Sequence, residues 1–314
     1  MGRKVLITGG AGFIGSHIAA AHLAAGDDVT IVDDLSTGRR ENIPPGAHFV
    51  HADIRSSQAR ELVAQGKFDV LSHHAAQMDV RRSVADPVFD AEVNIIGFLN
   101  LLEGARSGGV RRIIIASSGG VVYGEDGAMP FVETAAKYPL SPYGTAKLAS
   151  EYYLAIHARL YDVETVALRY SNVYGPRQRD DGEAGVVAIF GRRILAGEPL
   201  TIFGDGEQTR DMVYVEDVAR ANLAASRWRV APATGIDARA FNIGTGVETT
   251  VNQLAQVIGA AAGRVPAMRA APARPGELRR NALAVDKAAR ELDWRPCVTL
   301  ADGLRATVLA LRDR

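Results

Sequence analysis

Short, mostly apolar runs alternate with longer stretches of mixed polarity through the first half of the chain. The runs lie at residues 4–8, 29–32, 48–51, 68–71, 113–115 and 165–168. Consecutive apolar positions indicate strands that are buried on both faces, as in a parallel sheet covered by helices on each side. The pattern therefore predicts an α/β fold with a doubly wound parallel sheet of the Rossmann type.

The pattern changes at about Asn172, after which Gly, Pro and Arg are more frequent and strand–helix units are fewer. We expect a smaller C-terminal substrate-binding lobe there. Its predicted elements are a strand at 241–244, helices at 251–262, 286–292 and 300–311, and a helix end followed by a loop at 260–273. The predicted division is a Rossmann domain of residues 1–171, to which 211–235 return, and a lobe of residues 172–210 and 236–314.

Composition narrows the class of protein. The 314 residues are 47% hydrophobic, enough for a sizeable core, and 36 basic residues balance 36 acidic ones. A balanced charge argues against nucleic acid or an anionic membrane as partner. Cys297 is the only cysteine, so no internal disulfide or thiolate metal cluster is expected. With a strand-like segment from residue 4 and no apolar run near the ~20 residues of a membrane span, we expect a cytoplasmic protein.

A glycine-rich turn follows the first predicted strand. Gly9, Gly12 and Gly15 are spaced three residues apart, and a helix is predicted from residue 16 to residue 25. Glycine allows the backbone to approach phosphate groups closely, and the start of a helix offers free N–H groups and a positive dipole end. This placement predicts a site for a dinucleotide pyrophosphate.

The second strand ends at Asp33, where a carboxylate would accept hydrogen bonds from the adenosine ribose hydroxyls. The same charge would repel a 2′-phosphate, so NAD is preferred to NADP. Arg39 and Arg40 follow closely, and their positive charge would weaken this preference. We favour the interpretation that they are solvated loop arginines. Asp53 and Ile54, after the third strand, are expected beside the adenine.

A tyrosine and a lysine are predicted on one helical face. Ser141 suits an N-cap and Pro142 the first helical position, which puts Tyr143 in the first turn and Lys147 four residues later. A tyrosine that acts as a general base must lower its pKa from about 10 to about 7, roughly 4 kcal/mol. An ammonium, a helix N-terminus and an oxidised nicotinamide all act in that direction. The pair therefore indicates hydride and proton transfer with a nicotinamide cofactor.

Eight motifs occur in a characteristic order. They are TGGAGFIG at 8–15, HHAAQ at 73–77, SSGGVVYG at 117–124, SPYGTAK at 141–147, RYSNVYGPRQ at 169–178, TRDMVYVEDVA at 209–219, NIGTG at 242–246 and RPGE at 274–277. With them the chain resembles, over essentially its whole length, the extended short-chain dehydrogenases/reductases of the NAD-dependent epimerase/dehydratase family. The resemblance implies tightly held NAD and 4-epimerisation of a UDP-hexose, UDP-glucose or UDP-galactose, through a transient 4-keto sugar.

The resemblance also implies roles for individual residues. The catalytic residues are Tyr143, Lys147 and a hydroxyl, for which Ser118 is the candidate because Gly119 stands where the family usually has serine. Ser117 is the alternative, although neighbours on a strand point opposite ways. The substrate-binding residues are Ser118, Tyr143, Asn172, Arg210, Arg274 and Glu277. The cofactor-binding residues are Gly9, Gly12, Phe13, Ile14, Gly15, Asp33, Asp34, Leu35, Ser36, Gly38, Asp53, Ile54, His74, Ala75, Ala76, Gln77, Asn94, Ser117, Tyr143, Lys147 and Tyr170.

Several alternatives stay open at this point. Elimination chemistry is disfavoured, because residues 119–121 carry no acid or base. Arg81, Arg82, Arg177 and Arg179 lie on segments that could meet a carboxylate, which keeps UDP-glucuronate 4-epimerisation open, and Asn281 leaves room for N-acetylated sugars. A non-catalytic NAD-binding sensor is the alternative of another class. No metal is expected at His73 and His74, and long helices near 84–106 and 143–160 are expected to form a homodimer interface.

Overall fold

The computed structural model describes residues 2–180, 185–229, 235–273 and 278–313. Its strands are β1 (Lys4–Thr8), β2 (Asp28–Asp33), β3 (His48–His51), β4 (Val70–His73), β5 (Arg112–Ser118), β6 (Glu164–Tyr170), β7 (Asn172–Tyr174), β8 (Leu200–Phe203), β9 (Thr209–Tyr214), β10 (Ala240–Ile243), β11 (Glu248–Thr250) and β12 (Met268–Ala271).

The α-helices are α1 (Phe13–Ala24), α2 (Ser57–Gln65), α3 (Val80–Ala85), α4 (Pro87–Ala91), α5 (Gly97–Gly108), α6 (Pro142–Tyr161), α7 (Val186–Ala196), α8 (Val215–Arg227), α9 (Val251–Ala262), α10 (Asp286–Glu291) and α11 (Leu300–Arg312). A π-helix, Glu92–Ile96, joins α4 to α5, and short 3-10 turns lie at Arg40–Asn42 and Asp237–Arg239.

Seven strands form one parallel sheet in the order β10-β6-β5-β4-β1-β2-β3. The order reverses between β1 and β4, and β1 therefore lies next to both β2 and β4. In open parallel sheets, ligands bind at such a reversal, beyond the carboxyl ends of the strands. The predicted fold class is confirmed, because the sheet is parallel and has helices on both faces.

The two faces of the sheet carry separate hydrophobic clusters. One face packs against α1, α8 and α10, with Ile18, Val218 and Trp294 among its buried side chains. The other packs against α2, α5 and α6, with Val63 and Leu154 as examples. Both faces being buried explains why the strands are apolar at successive positions rather than at alternate ones.

A third cluster lies in the second half of the chain. Its buried residues come from α7, α9 and α11 and from strands β7, β8 and β9, and include Phe190, Leu254 and Leu304. The smaller sheets of this region have the orders β11-β9-β7 and β12-β8. None of the helices in the described residues is both long and apolar enough to cross a membrane.

The structure corrects three sequence-based boundaries. Residues 240–243, assigned to the lobe, are the edge strand β10 of the large sheet and pair in parallel with β6. Residues 268–271, expected in a loop, form β12 and pair with β8. Helix α1 begins at Phe13 rather than at residue 16, because Gly12 is its N-cap. The rest of the proposed division into domain and lobe stays a prediction.

A buried ion pair attaches helix α6 to the sheet. Arg169 on β6 has no exposed surface, and its Nη2 donates to Glu151 Oε2 on α6 at 2.6 Å. The guanidinium also donates to the Tyr123 hydroxyl at 2.9 Å and to the Glu133 carbonyl at 2.8 Å. Removing one partner of such a pair leaves an uncompensated buried charge. The pair therefore holds α6 in position against β6.

We expect Arg169→Leu to lower the free energy of unfolding by about 3–5 kcal/mol, because Glu151 would remain buried without its partner. Chemical denaturation followed by circular dichroism measures this loss. The control is Arg111→Leu, which removes an ion pair with Asp69 whose arginine side chain is 81% exposed. That variant should unfold almost as the parent does. Equal effects of the two substitutions would contradict the assignment.

Candidate active site

The first turn of α6 carries the predicted tyrosine. Ser141 caps the helix by accepting a hydrogen bond from the Gly144 N–H at 3.1 Å, and Pro142 occupies the first turn. Tyr143 is half-buried and Lys147, one turn later, is buried. The local structure expected from the sequence is therefore present.

Lys147 reaches the end of β5. Its Nζ donates to the Ala116 carbonyl at 3.0 Å and lies 5.7 Å from the centroid of the Tyr143 ring. Burial lowers the pKa of Lys147 to about 8, while the nearby carboxylate of Asp90 opposes this shift. The lysine, the tyrosine and the end of β5 thus form one cluster at the carboxyl edge of the sheet.

The pKa of Tyr143 moves in the direction opposite to the one predicted. Burial raises it above its ordinary value, and the charge of Asp90 raises it further. The ammonium of Lys147 lies over the ring and donates to a backbone carbonyl instead of offsetting this rise. The protein groups alone therefore favour a neutral phenol.

The two candidate serines have different surroundings. Ser117 is buried, and its Oγ donates to Glu151 Oε1 at 2.5 Å. Ser118 is partly exposed at the last position of β5. The Glu151 contact gives Ser117 a structural partner, and the catalytic role of Ser118 stays a prediction.

Gly119 follows directly and packs against a buried leucine. A Cβ at this position would overlap the Leu283 side chain, which is itself fully buried with Val122 and Phe131. Asn281 Nδ2 donates to the Gly119 carbonyl at 3.2 Å. The glycine is thus required by close packing of the segment around 281–283 against the end of β5.

The glycine turn after β1 has the shape of a phosphate cradle. Gly9 has φ +70°, and a Cβ there would collide with the Ala75 backbone. A Cβ on Gly15 would collide with the Gly9 carbonyl, and Gly12 N donates to that carbonyl at 3.1 Å. The turn therefore admits no side chain at Gly9 or Gly15, and it leaves the start of α1 accessible to a pyrophosphate. Phe13 and Ile14, half-buried, begin the helix.

Asp33 joins the two loops expected around the adenosine. Its Oδ2 accepts from the Ala11 N–H at 3.0 Å, and its Oδ1 accepts from the Leu35 N–H at 2.8 Å. Burial raises the pKa of this carboxyl. A Cβ on Gly38 would come 2.7 Å from Oδ1, so that loop closes on the same carboxylate. Asp34, beside it, caps the turn by accepting from the Ser36 N–H at 2.9 Å.

Gln77 and Asn94, both predicted to bind cofactor, contact each other. The Gln77 N–H donates to Asn94 Oδ1 at 3.0 Å, and Asn94 Nδ2 donates to the Gln77 carbonyl at 2.9 Å. Both side chains also donate to Asp90, which sequence reasoning did not single out. The pair connects the loop after β4 to the π-helix.

The remaining predicted cofactor residues are distributed along the same edge. Asp53 forms an ion pair with Arg55 at 2.6 Å, and Ile54 is buried. His74 Nε2 lies 2.8 Å from Ser72 Oγ, and burial lowers its pKa to about 3. The Tyr170 hydroxyl accepts from Asn222 Nδ2 at 2.7 Å. Ala75 and Ala76 are half-buried.

His73 is held by its own neighbours. Its Nδ1 lies 2.7 Å from Thr8 Oγ1, and its ring stacks on Phe98 with centroids 5.1 Å apart. Within the part of the chain that the structure describes, no three His, Cys, Asp or Glu residues are arranged to hold a metal ion.

Two of the predicted substrate residues lie near the β7–β9 strand pair. Asn172 begins β7 and is half-buried. Arg210 on β9 donates through Nη1 to the Leu278 carbonyl at 2.8 Å. Arg274 and Glu277 lie outside the described residues.

Two arginines considered for the sugar pocket reach the cofactor loops instead. Arg177 Nη1 donates to Ser16 Oγ at 3.1 Å, and Arg179 Nη1 donates to the Thr37 carbonyl at 3.3 Å. They cross from the loop after β7 to the first turn of α1 and to the loop after β2. Of the four arginines considered as partners of a sugar carboxylate, Arg81 and Arg82 therefore remain.

Asp211 is a buried residue that sequence reasoning did not assign. Its carboxylate accepts from the Thr245 N–H at 2.8 Å, the Thr245 hydroxyl at 2.7 Å, the Gly246 N–H at 3.0 Å and the Leu283 N–H at 3.2 Å. It therefore fixes the segment of Leu283 and the loop after β10 beside Arg210. Its position next to Arg210 in the motif at 209–219 is the sequence feature that could have identified it.

A doubly wound sheet with a glycine cradle, an acidic residue after β2 and a Tyr–Lys pair beside β5 defines the nicotinamide-dependent short-chain dehydrogenase/reductase class. Comparison with known proteins makes this more specific. The model of the NAD dependent epimerase/dehydratase family matches residues 5–244, and the chain belongs to that family.

Several of the most similar proteins are named UDP-glucose 4-epimerases. A putative UDP-glucose 4-epimerase of Methanocaldococcus jannaschii is 46% identical over 97% of both chains. A UDP-glucose 4-epimerase of Mycolicibacterium smegmatis is 45% identical over 99% of both. The Thermotoga maritima UDP-glucose 4-epimerase, solved with UDP-glucose, is 44% identical and superimposes with a TM-score of 0.93 over 99% of both chains. The Thermus thermophilus UDP-glucose 4-epimerase, in complex with NAD, is 44% identical, with a TM-score of 0.90 over 98% of this chain and 99% of that one.

We expect Asp33→Asn to weaken NAD binding by about ten- to a hundredfold and to narrow the preference for NAD over NADP. The substitution removes the negative charge from the predicted ribose site, and it leaves one side-chain oxygen where two now accept from the Ala11 and Leu35 N–H groups. Titration calorimetry with both dinucleotides measures the effect. Asp28→Asn, at the exposed start of the same strand, is the control. Unchanged NAD affinity in Asp33→Asn would remove this residue from the cofactor site.

Proposed function

We propose that the chain catalyses the NAD-dependent 4-epimerisation of a UDP-hexose, interconverting UDP-glucose and UDP-galactose through a transient 4-keto sugar. The observation that carries the proposal is the Tyr143–Lys147 pair beside the end of β5, on the edge of the sheet where the glycine cradle opens. The names of the similar enzymes supply the substrate, a nucleotide-linked hexose.

In this proposal NAD, when bound, supplies the acceptor and donor for the hydride of carbon 4. Tyr143 takes the proton of the sugar 4-hydroxyl and later returns it, and Lys147 holds the phenol and the cofactor ribose. Ser118 donates a hydrogen bond to the sugar oxygen. The raised pKa of Tyr143 means that the positive charge of the oxidised nicotinamide has to favour the phenolate. Proton removal is thereby coupled to the oxidation state of the cofactor.

The surroundings of the end of β5 favour simple epimerisation. Elimination of water needs a further acid and base next to the reacting carbon. Gly119, Gly120 and Val121, which follow Ser118, cannot transfer protons. The reaction that remains for the 4-keto sugar is therefore return of the hydride to carbon 4, on either face of the sugar ring.

The second half of the chain supplies the nucleotide site in this proposal. Asn172 and Arg210 contact the diphosphate, for which a guanidinium is suited because it donates two parallel hydrogen bonds and keeps its charge. Arg274 and Glu277 bind phosphate and the uridine ribose. We further propose that the enzyme works in the cytoplasm, since its single cysteine suits a reducing compartment.

Tyr143→Phe should lower turnover of UDP-galactose by about a thousandfold, because the proton acceptor is lost while the ring still packs. NAD should remain bound, as measured by cofactor content after gel filtration. Products from UDP-glucose, UDP-galactose, UDP-N-acetylglucosamine and UDP-glucuronate are identified by NMR. Tyr153→Phe, on the exposed side of the same helix, is the matched control. No product from any of these sugars with the parent enzyme would refute the proposed function, and normal turnover of Tyr143→Phe would refute the role of the tyrosine.

An apolar surface on two neighbouring helical segments supports a homodimer. We call it the apolar helix face; it consists of Met78, Val84, Val88, Ile96, Tyr152, Tyr153, Ile156, Leu160 and Tyr161, which are 40–68% exposed. Helices α3 and α4 and the π-helix pack beside α6, so the residues form one surface. Contiguous apolar surfaces of this kind mark association sites, and a patch that pairs with itself gives a twofold dimer. We propose a second copy of this chain as its occupant.

Ile156→Lys should convert the dimer to a monomer, because it places a charge within the apolar helix face. Sedimentation velocity gives the mass of each form. The control is Leu309→Lys, on an isolated exposed leucine of α11. A parent protein that sediments as a monomer would contradict the proposal, as would an Ile156→Lys variant that remains dimeric.

A further inference from the structure

Asp90 is a buried carboxylate beside the candidate active site. It lies on α4 with 1% of its surface exposed. Its Oδ1 accepts hydrogen bonds from Gln77 Nε2 and from Asn94 Nδ2, both at 2.9 Å. Both donors are neutral amides, so these hydrogen bonds do not balance the charge. A buried carboxylate needs an opposite charge nearby to remain ionised.

The opposite charge is available on the helix that packs against α4. Lys147 on α6 is 7% exposed, and its Nζ donates to the Ala116 carbonyl, which is also neutral. Burial raises the pKa of Asp90 and lowers that of Lys147, so it disfavours both charges. Each group opposes the shift of the other, because the ammonium favours the carboxylate and the carboxylate favours the ammonium. The two buried charges therefore depend on each other.

We propose that Asp90 is the counter-charge of Lys147 and the residue that positions the Tyr143–Lys147 pair. It acts through space on the ammonium, and through Gln77 and Asn94 on the loop after β4. The inference rests on the proposed function for its meaning in catalysis, but the charge pairing can be tested without substrate.

The other charged and titratable groups around this cluster have partners or point elsewhere. At the end of β4 and directly after it, burial holds the pKa values of His73 and His74 far below neutrality, so both rings are neutral at working pH. Arg81 and Arg82 on α3 are exposed, as is Glu92 at the start of the π-helix, which lies 3.6 Å from Arg55. On α6, Glu151 pairs with Arg169.

Neutralising Asp90 should shift two titrations in the same direction. The carboxylate raises the pKa of Tyr143 and that of Lys147. With asparagine at position 90, the phenol loses its proton at lower pH, and the ammonium does as well. Both limbs of the pH–rate profile are therefore expected to move to lower pH.

The test uses NAD-loaded enzyme and the ultraviolet absorbance of tyrosinate. The titration of Tyr143 in the parent is obtained by subtracting the tyrosinate absorbance of Tyr143→Phe from that of the parent. For each other variant, the absorbance of the same variant carrying Tyr143→Phe in addition is subtracted. We expect Asp90→Asn to lower the midpoint by about one pH unit. Asp86→Asn is the matched control, because Asp86 is an exposed carboxylate that caps the same helix and asparagine also caps. Its midpoint should equal that of the parent.

An Asp90→Asn midpoint equal to that of the parent, or lowered no more than that of Asp86→Asn, would overturn the inference. If Asp90→Asn does not fold, Asp90→Asn combined with Lys147→Met is expected to fold, because the buried charges are then removed together; failure of the double variant would also overturn it. Turnover of UDP-galactose by the parent is measured separately. Its absence would refute the proposed function and leave the result on charge pairing intact.

Discussion

Helix α6, which carries Tyr143 and Lys147, is held to the sheet by a buried guanidinium and a buried carboxylate. Arg169 and Glu151 satisfy each other only if β6 and α6 keep their present spacing, since Glu151 would otherwise be a buried carboxylate without an opposite charge. Glu151 follows Lys147 by one helical turn and also accepts from Ser117, so the same contact sets where the helix passes the end of β5. Through Tyr123, whose hydroxyl donates to Asn242, the constraint extends to β10 at the edge of the sheet. The positions of Tyr143 and Lys147 beside the end of β5 follow from this arrangement.

Features whose signal is local could be predicted from the sequence. Consecutive apolar positions indicate a strand buried on both faces, and the spacing of Gly9, Gly12 and Gly15 describes one tight turn. The cap at Ser141 and the face shared by Tyr143 and Lys147 follow from helical geometry alone. Features that depend on distant partners could not be predicted in this way. β10 belongs to the large sheet because it pairs with β6, some seventy residues earlier, and Asp211 owes its importance to N–H groups that come from two other segments.

The electrostatics of the site illustrate the same distinction. Spacing places an ammonium one turn from a phenol, and proximity alone would lower the pKa of that phenol. The structure adds burial and the carboxylate of Asp90, and their combined effect is in the opposite direction. A sequence gives the order of charged groups along a helix but not the depth at which they lie, and depth decides whether the charged or the neutral form is favoured. In the enzyme we propose, this arrangement keeps the phenol protonated until a positively charged nicotinamide is present.

The contact between Gly119 and Leu283 restricts which side chains these two positions can carry. Gly119 stands where the resemblance to the family predicts a serine, and the buried leucine occupies the space that a serine side chain would need. A single Gly119→Ser substitution would bring a Cβ into overlap with Leu283 Cδ1, so the closely packed leucine side chain would have to move. A larger residue at 119 would need a smaller one at 283, so each position restricts which side chains the other can accept. Where the leucine is found in related sequences, a small residue is expected opposite it, and the hydroxyl of the active site is expected to come from elsewhere on the strand.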